Sequence, residues 1–178
     1  LLDGSVDGLG YERAVYSGRE RHSSSRYRNL SYPQRMMRKG DFLIVWSIAP
    51  DRHPAGAPQS IVDGKPAAPH GAYFDIDDSM ITRELVAKRD DPYVGPFFHL
   101  AVDKRPEWQM FNVSADPDCL VDLASDPEHA QIFAEYKQQL METLTATGDP
   151  RALGHGHVWE DYPRLRGPMR YFPVPVEE

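Results

Sequence analysis

Six arginines fall between Ser17 and Arg38, in the run SGRERHSSSRYRNLSYPQRMMR, and Arg13 stands just before it. Beside them are one carboxylate, Glu20, and one histidine, His22. A guanidinium is a planar fork of donors that can grip sulfate, carboxylate or phosphate oxygens two at a time, so arginine at this density suits a wall that faces an anion. The same composition suits a surface loop whose arginines pair with an acidic remainder, where each exposed pair is worth little. Composition leaves both readings open.

Other residues with chemical potential carry weaker signals. His155-Gly-His157, with Glu160 and Asp161 close by, has the spacing of a metal pair but lacks a fixed third ligand. Asp75-Ile-Asp-Asp-Ser opens like a calcium loop, yet Met80 stands where that loop needs glycine and Val86 where it needs a bidentate glutamate. Cys119 is the single cysteine, so there is no disulfide framework and no Cys-rich metal site. Asn29-Leu-Ser31 and Asn112-Val-Ser114 are formal glycosylation sequons, meaningful only in a secreted eukaryotic protein. No nucleophile elbow, glycine-rich phosphate loop or zinc-protease helix occurs. The expectation is no catalytic and no metal-ligating residue in this chain.

The whole chain must hold this basic run in place. With 178 residues it can form a domain with a sizeable core, and one core with long excursions is expected from its 16 prolines and 13 glycines. Its net charge is -7, although 8 of its 20 Lys and Arg lie between Arg13 and Lys39. That balance argues against a general nucleic-acid binder and for a local basic site. No apolar run reaches the roughly 18 residues of a membrane span. The chain opens on Leu-Leu-Asp-Gly without a methionine or a signal-peptide pattern, as expected of a piece cut from a longer protein.

Periodicity places the elements. Residues 1–13 read as a linker. Ala14-Val15-Tyr16 begins a strand that delivers the basic run at its end. Gln34 to Met37, a Lys39-Gly40-Asp41 turn and the run Phe42 to Ile48 read as a β-hairpin, the second strand apolar enough to be central. Asp51 to Tyr73, rich in proline and glycine, reads as a loop without regular structure. A helix is expected over Ser79 to Arg89, capped by Asp77 or Asp78, with Met80, Ile81, Leu85 and Val86 on one side. Tyr93 to His99 is an aromatic segment bounded by proline and glycine, and Trp108 to Val113 alternates as a further strand. Ser125-Asp126-Pro127-Glu128 then starts a helix in which Ile132, Phe133, Tyr136, Leu140, Met141 and Leu144 recur at helical spacing until Gly148. Residues 151–178 read as an extended tail. The fold class that follows is α+β, a small antiparallel sheet of about four strands with a long amphipathic helix packed on it.

Several of these segments together carry a resemblance. Gly18-Arg19-Glu20-Arg21-His22, then Tyr32-Pro33-Gln34-Arg35-Met36-Met37-Arg38 and the strand Phe42 to Trp46, resemble the C-terminal region of type I sulfatases of the heparan N-sulfatase (sulfamidase) kind. Asp51-Arg52-His53-Pro54-Ala55-Gly56 resembles the loop that follows this strand in the family. Arg105-Pro106-Glu107-Trp108-Gln109-Met110-Phe111-Asn112-Val113 resembles its RPxEELYDL signature, and Asp116-Pro117, Leu123-Ala124 and Asp126-Pro127 its later spacing. Trp108, Met110 and Asn112 depart from the usual residues at sheet and turn positions, which bears on subfamily rather than fold.

The resemblance makes residues 1–178 the C-terminal subdomain of an alkaline phosphatase-like sulfatase, a hydrolase of sulfate or sulfamate groups on heparan-type sulfated glycans. It implies that the formylglycine nucleophile and its calcium ion belong to a missing N-terminal catalytic domain, the partner of this one. Ser31-Tyr-Pro-Gln-Arg35 matches the nucleophile motif only formally and is better explained by the C-terminal YPxR pattern, so the isolated chain is expected to be inactive. Arg19, Arg21 and His22 would then contact sulfate or uronate groups, while Glu20 would accept from a sugar hydroxyl or hold an arginine. Arg35 and Arg38 would pair with carboxylates across the domain boundary. Self-association through the apolar surface at that boundary is expected, and the family's compartments are periplasmic, extracellular or lysosomal. Two alternatives remain at this point, a noncatalytic glycan-binding or structural module and part of a phosphoesterase of the same superfamily.

Overall fold

The short apolar pair Met36-Met37 in Gln34–Lys39 (β2) and the continuous apolar run of Phe42–Ser47 (β3) pair as a hairpin closed by the Gly40-Asp41 turn, with Gly40 in the left-handed region at φ 53°. The computed structural model describes residues 12–21, 26, 30–63 and 65–162. Val15–Arg19 (β1) pairs with β2, and Trp108–Asn112 (β6) pairs with β3, giving an antiparallel sheet in the order β1-β2-β3-β6. Ile44 and Val45 are neighbours and therefore face opposite sides of β3, yet both are buried.

The long helix follows from local chemistry. Asp126 accepts a hydrogen bond from the Glu128 amide, Pro127–His129 forms a 3-10 turn, and Ala130–Ala146 continues as a helix (α3). It stops at Gly148, whose φ of 74° lets its amide reach the Thr145 carbonyl while the Asp149 amide reaches that of Leu144. Tyr136, Leu140 and Leu144 are buried with Met37 and Ile44 of the sheet. Phe42, Trp46, Trp108, Ile132, Phe133 and Met141 pack around them. The tyrosine hydroxyl is satisfied by the Lys39 carbonyl at 3.0 Å. The architecture is thus α+β, with the expected four-stranded antiparallel sheet and long helix.

The chain divides into two compact units, and the expectation of a single core fails. The first comprises the described residues of 1–19, 34–48 and 107–156, and the second those of 20–33, 49–106 and 157–178. Each has its own buried cluster, the second built on Ala55, Tyr73, Phe98 and Val102.

The second unit departs most from the sequence reading. The stretch expected to lack regular structure contains a hairpin, Gln59–Val62 (β4) with Lys65–Pro69 (β5). Its signals were the β-branched Ile61-Val62 and the Asp63-Gly64 dipeptide. Both strands are edges, so prolines 66 and 69 are tolerated. Met80–Ala87 (α1) is capped by Ser79, which accepts from the Thr82 amide, and not by Asp77 or Asp78; Asp78 instead pairs with Arg83. Of the expected apolar face, Leu85 and Val86 pack on the second core, whereas Met80 and Ile81 are 87% and 73% exposed.

The aromatic segment after Asp91 is a helix, Gly95–Val102 (α2), which brings Phe98 and Val102 into that core. Asp91 accepts from the amides of Tyr93 and Val94, in the manner of a cap. A Cβ on Gly95 would lie 2.4 Å from the Arg89 carbonyl, so only glycine fits there. In the expected tail, Val158–Asp161 forms a short helix (α4), and residues 163–178 lie outside the described residues.

Candidate functional site

Strand pairing sets the start of the basic run. Tyr16 turns its hydroxyl to Thr143 of α3 at 3.0 Å, so alternation along β1 puts Arg19 on the opposite face of the sheet, away from the core under α3. Arg19 closes β1 opposite Gln34, and its carbonyl accepts from Arg35. Glu20 follows, its carbonyl held by the Tyr32 amide at 2.7 Å. Arg21 donates from Nη2 to the Trp159 carbonyl at 2.5 Å. All three side chains are half-buried. His22, the fourth expected site residue, lies outside the described residues.

Further along, the same run turns inward. Arg26 is buried against Asp75, with Nε 2.8 Å from the carboxylate, and its other nitrogens donate to the carbonyls of His53 and Pro54. Its guanidinium lies 5.3 Å from the ring centre of the buried Tyr32. Arg35 is buried against Asp149 at 2.6 Å. Two of the arginines therefore follow the structural reading of the run. Arg35 pairs as expected of a structural residue, but its carboxylate belongs to the same unit. Arg38 is exposed and has no ion-pair partner among the described residues; with Arg13 and Lys39 it borders a shallow recess of about 250 Å³.

Ser31, the residue in the formal nucleophile motif, is fully buried and spoken for. Its hydroxyl donates to Glu160 at 2.7 Å and its amide to the other carboxylate oxygen at 3.0 Å. Arg52 closes the ring, donating to Glu160 at 2.8 Å and to the Ser31 carbonyl at 2.7 Å. Burial by itself would raise the Glu160 carboxyl, but the hydrogen bonds from Arg52 and Ser31 outweigh it and lower the group from 4.5 to about 2. A serine with no exposure, donating to a carboxylate, is a structural fastener. Glu160 is correspondingly engaged by Ser31 and Arg52.

Among the described residues no group of three or more His, Cys, Asp or Glu side chains is arranged to hold a metal ion. Nor is any described helix long and apolar enough to cross a membrane. No protein-family model matches the sequence, and no curated protein matches it.

Proposed function

We propose that this chain is the C-terminal part of a sulfatase acting on sulfate or sulfamate groups of heparan-type glycans. In this role it supplies part of the substrate wall and leaves the nucleophile to another domain. The observation that carries the reading is the division of labour within the basic run. Arg19 closes an edge strand, half-buried and on the face opposite α3, and half-buried Glu20 and Arg21 follow it in sequence, whereas Arg26 and Arg35 are buried on internal carboxylates. A guanidinium at a strand end can grip sulfuryl or uronate oxygens without giving up its place in the fold. Further support comes from where the resembling motifs fall. YPQRMMR runs from the segment before β2 through that strand, the RPEWQMFNV run covers β6, and Asp126-Pro127 starts the helical segment leading into α3.

The test is binding of an N-sulfated heparan disaccharide against its N-acetylated counterpart, by titration calorimetry in low and physiological salt. The sulfated sugar should bind the chain weakly but preferentially, and its affinity should fall with salt, because charge attraction in contact with solvent is screened within about 8 Å at physiological ionic strength. Equal affinity for both sugars, or affinity indifferent to salt, would contradict the proposal and favour a noncatalytic module.

A further inference from the structure

A cleft of about 630 Å³ opens in the second unit between the segment His70–Asp78 and helix α1. Its size is that of small-molecule sites, roughly 300 to 1,000 Å³. Two residues of the segment that are not glycine hold left-handed backbone, His70 at φ 68° and Tyr73 at φ 53°. Side chains rarely accept that conformation, and it persists only where the surroundings impose it. Here the surroundings fix an imidazole. The His70 ring stacks on Tyr73 with centres 6.2 Å apart, meets Phe98 edge-on at 5.5 Å, and has Nδ1 2.7 Å from the Tyr73 hydroxyl. Whichever of that pair donates, Nδ1 is occupied and Nε2 is the nitrogen left for a ligand.

The remaining lining selects the ligand. Asp78 and Arg83 satisfy each other. Arg89 donates to the Val86 carbonyl and lies 3.7 Å from Asp90. Asp77 is exposed, and its carboxylate has no hydrogen-bond partner among the described residues. The cleft therefore offers one open carboxylate and one fixed imidazole beside apolar surface from Phe74 and Ile76. With Arg83 held by Asp78 and Arg89 beside Asp90, the open carboxylate of Asp77 is the uncompensated charge of the lining, and it repels anions. A neutral ring with vicinal hydroxyls on its rim and C–H groups on its faces fits both features, since a carboxylate can accept from two hydroxyls at once.

We propose that this cleft is a binding site for a neutral hexose ring, recognised by Asp77 and His70 over the surface of Phe74. It shares no residue with the Arg19–Arg21 wall and stands independently of the sulfatase reading. The experiment titrates the chain with the methyl glycosides of glucose, galactose and mannose, and separately with inorganic sulfate, following backbone amides by NMR. At least one glycoside should give saturable shifts within residues 70–89, and Asp77→Ala should weaken its binding by about tenfold, 1.4 kcal/mol. Sulfate should neither shift these amides nor compete. Because Asp77 is exposed, this variant should keep the wild-type circular dichroism and melting temperature. The proposal fails if none of the three glycosides saturates, if sulfate competes, or if the folded Asp77→Ala variant binds as tightly as wild type.

Discussion

Arg26 has Asp75 at 2.8 Å and two backbone carbonyls around its other nitrogens, so its charge is out of water and fully hydrogen-bonded. Removing one partner of such a pair leaves a buried charge unmet, and Arg26→Ala should destabilise the chain by about 3 to 5 kcal/mol. Replacing both partners with apolar residues, as in Arg26→Met with Asp75→Leu, should recover most of that loss in urea denaturation. Glu160 gives a second residue-level test. Its folded-state carboxyl lies near 2, below the ordinary 4.5, so its contribution is complete above pH 4.5 and is lost as pH falls toward 2. Glu160→Gln should therefore cost stability at neutral pH and cost progressively less through that window. A penalty independent of pH would mean that the carboxylate charge is not what fastens Ser31. The density of arginine was legible in the sequence, but which arginines serve the fold was not. Asp75 lies 49 residues from Arg26 and Asp149 lies 114 from Arg35, and no local pattern announces pairings at such separations.

Elements were legible where local signals and tertiary packing agree. In α3 the cap, the apolar period and the glycine stop point the same way, and all six residues of the expected stripe join one cluster. Leu140 is completely buried there, and Leu140→Ala should cost about 2 to 5 kcal/mol in chemical denaturation followed by tryptophan fluorescence. Ile81→Ala on α1 should stay within about 0.5 kcal/mol, because that side chain is exposed. A similar period was misleading in α1, where only Leu85 and Val86 find a core to pack on. Helix α2 was hidden because its residues are apolar on several sides and give little contrast around the axis. The β4–β5 hairpin was hidden by its prolines, which mark a loop in most contexts but are harmless in a two-stranded ribbon.

For the whole molecule, an acidic chain holding one basic run has a local electropositive feature rather than a polyanion-binding surface. The structure commits Arg26 and Arg35 to internal carboxylates, and the proposed activity depends on the start of the run, beginning at Arg19. Ser31 is sealed, so sulfate or sulfamate ester hydrolysis by the isolated chain should be absent, and Ser31→Ala should change only stability. The most direct test of the substrate wall is kcat/KM toward an N-sulfated glucosamine end, measured in the proposed full-length sulfatase, for wild type, Arg21→Ala and His22→Ala, with melting temperatures in parallel. The proposal predicts a fall of more than about tenfold, or 1.4 kcal/mol of transition-state stabilisation, in each variant with the melting temperature nearly unchanged. Normal turnover in both variants, or a loss that tracks the melting temperature, would contradict it and leave the arginines of the run structural throughout.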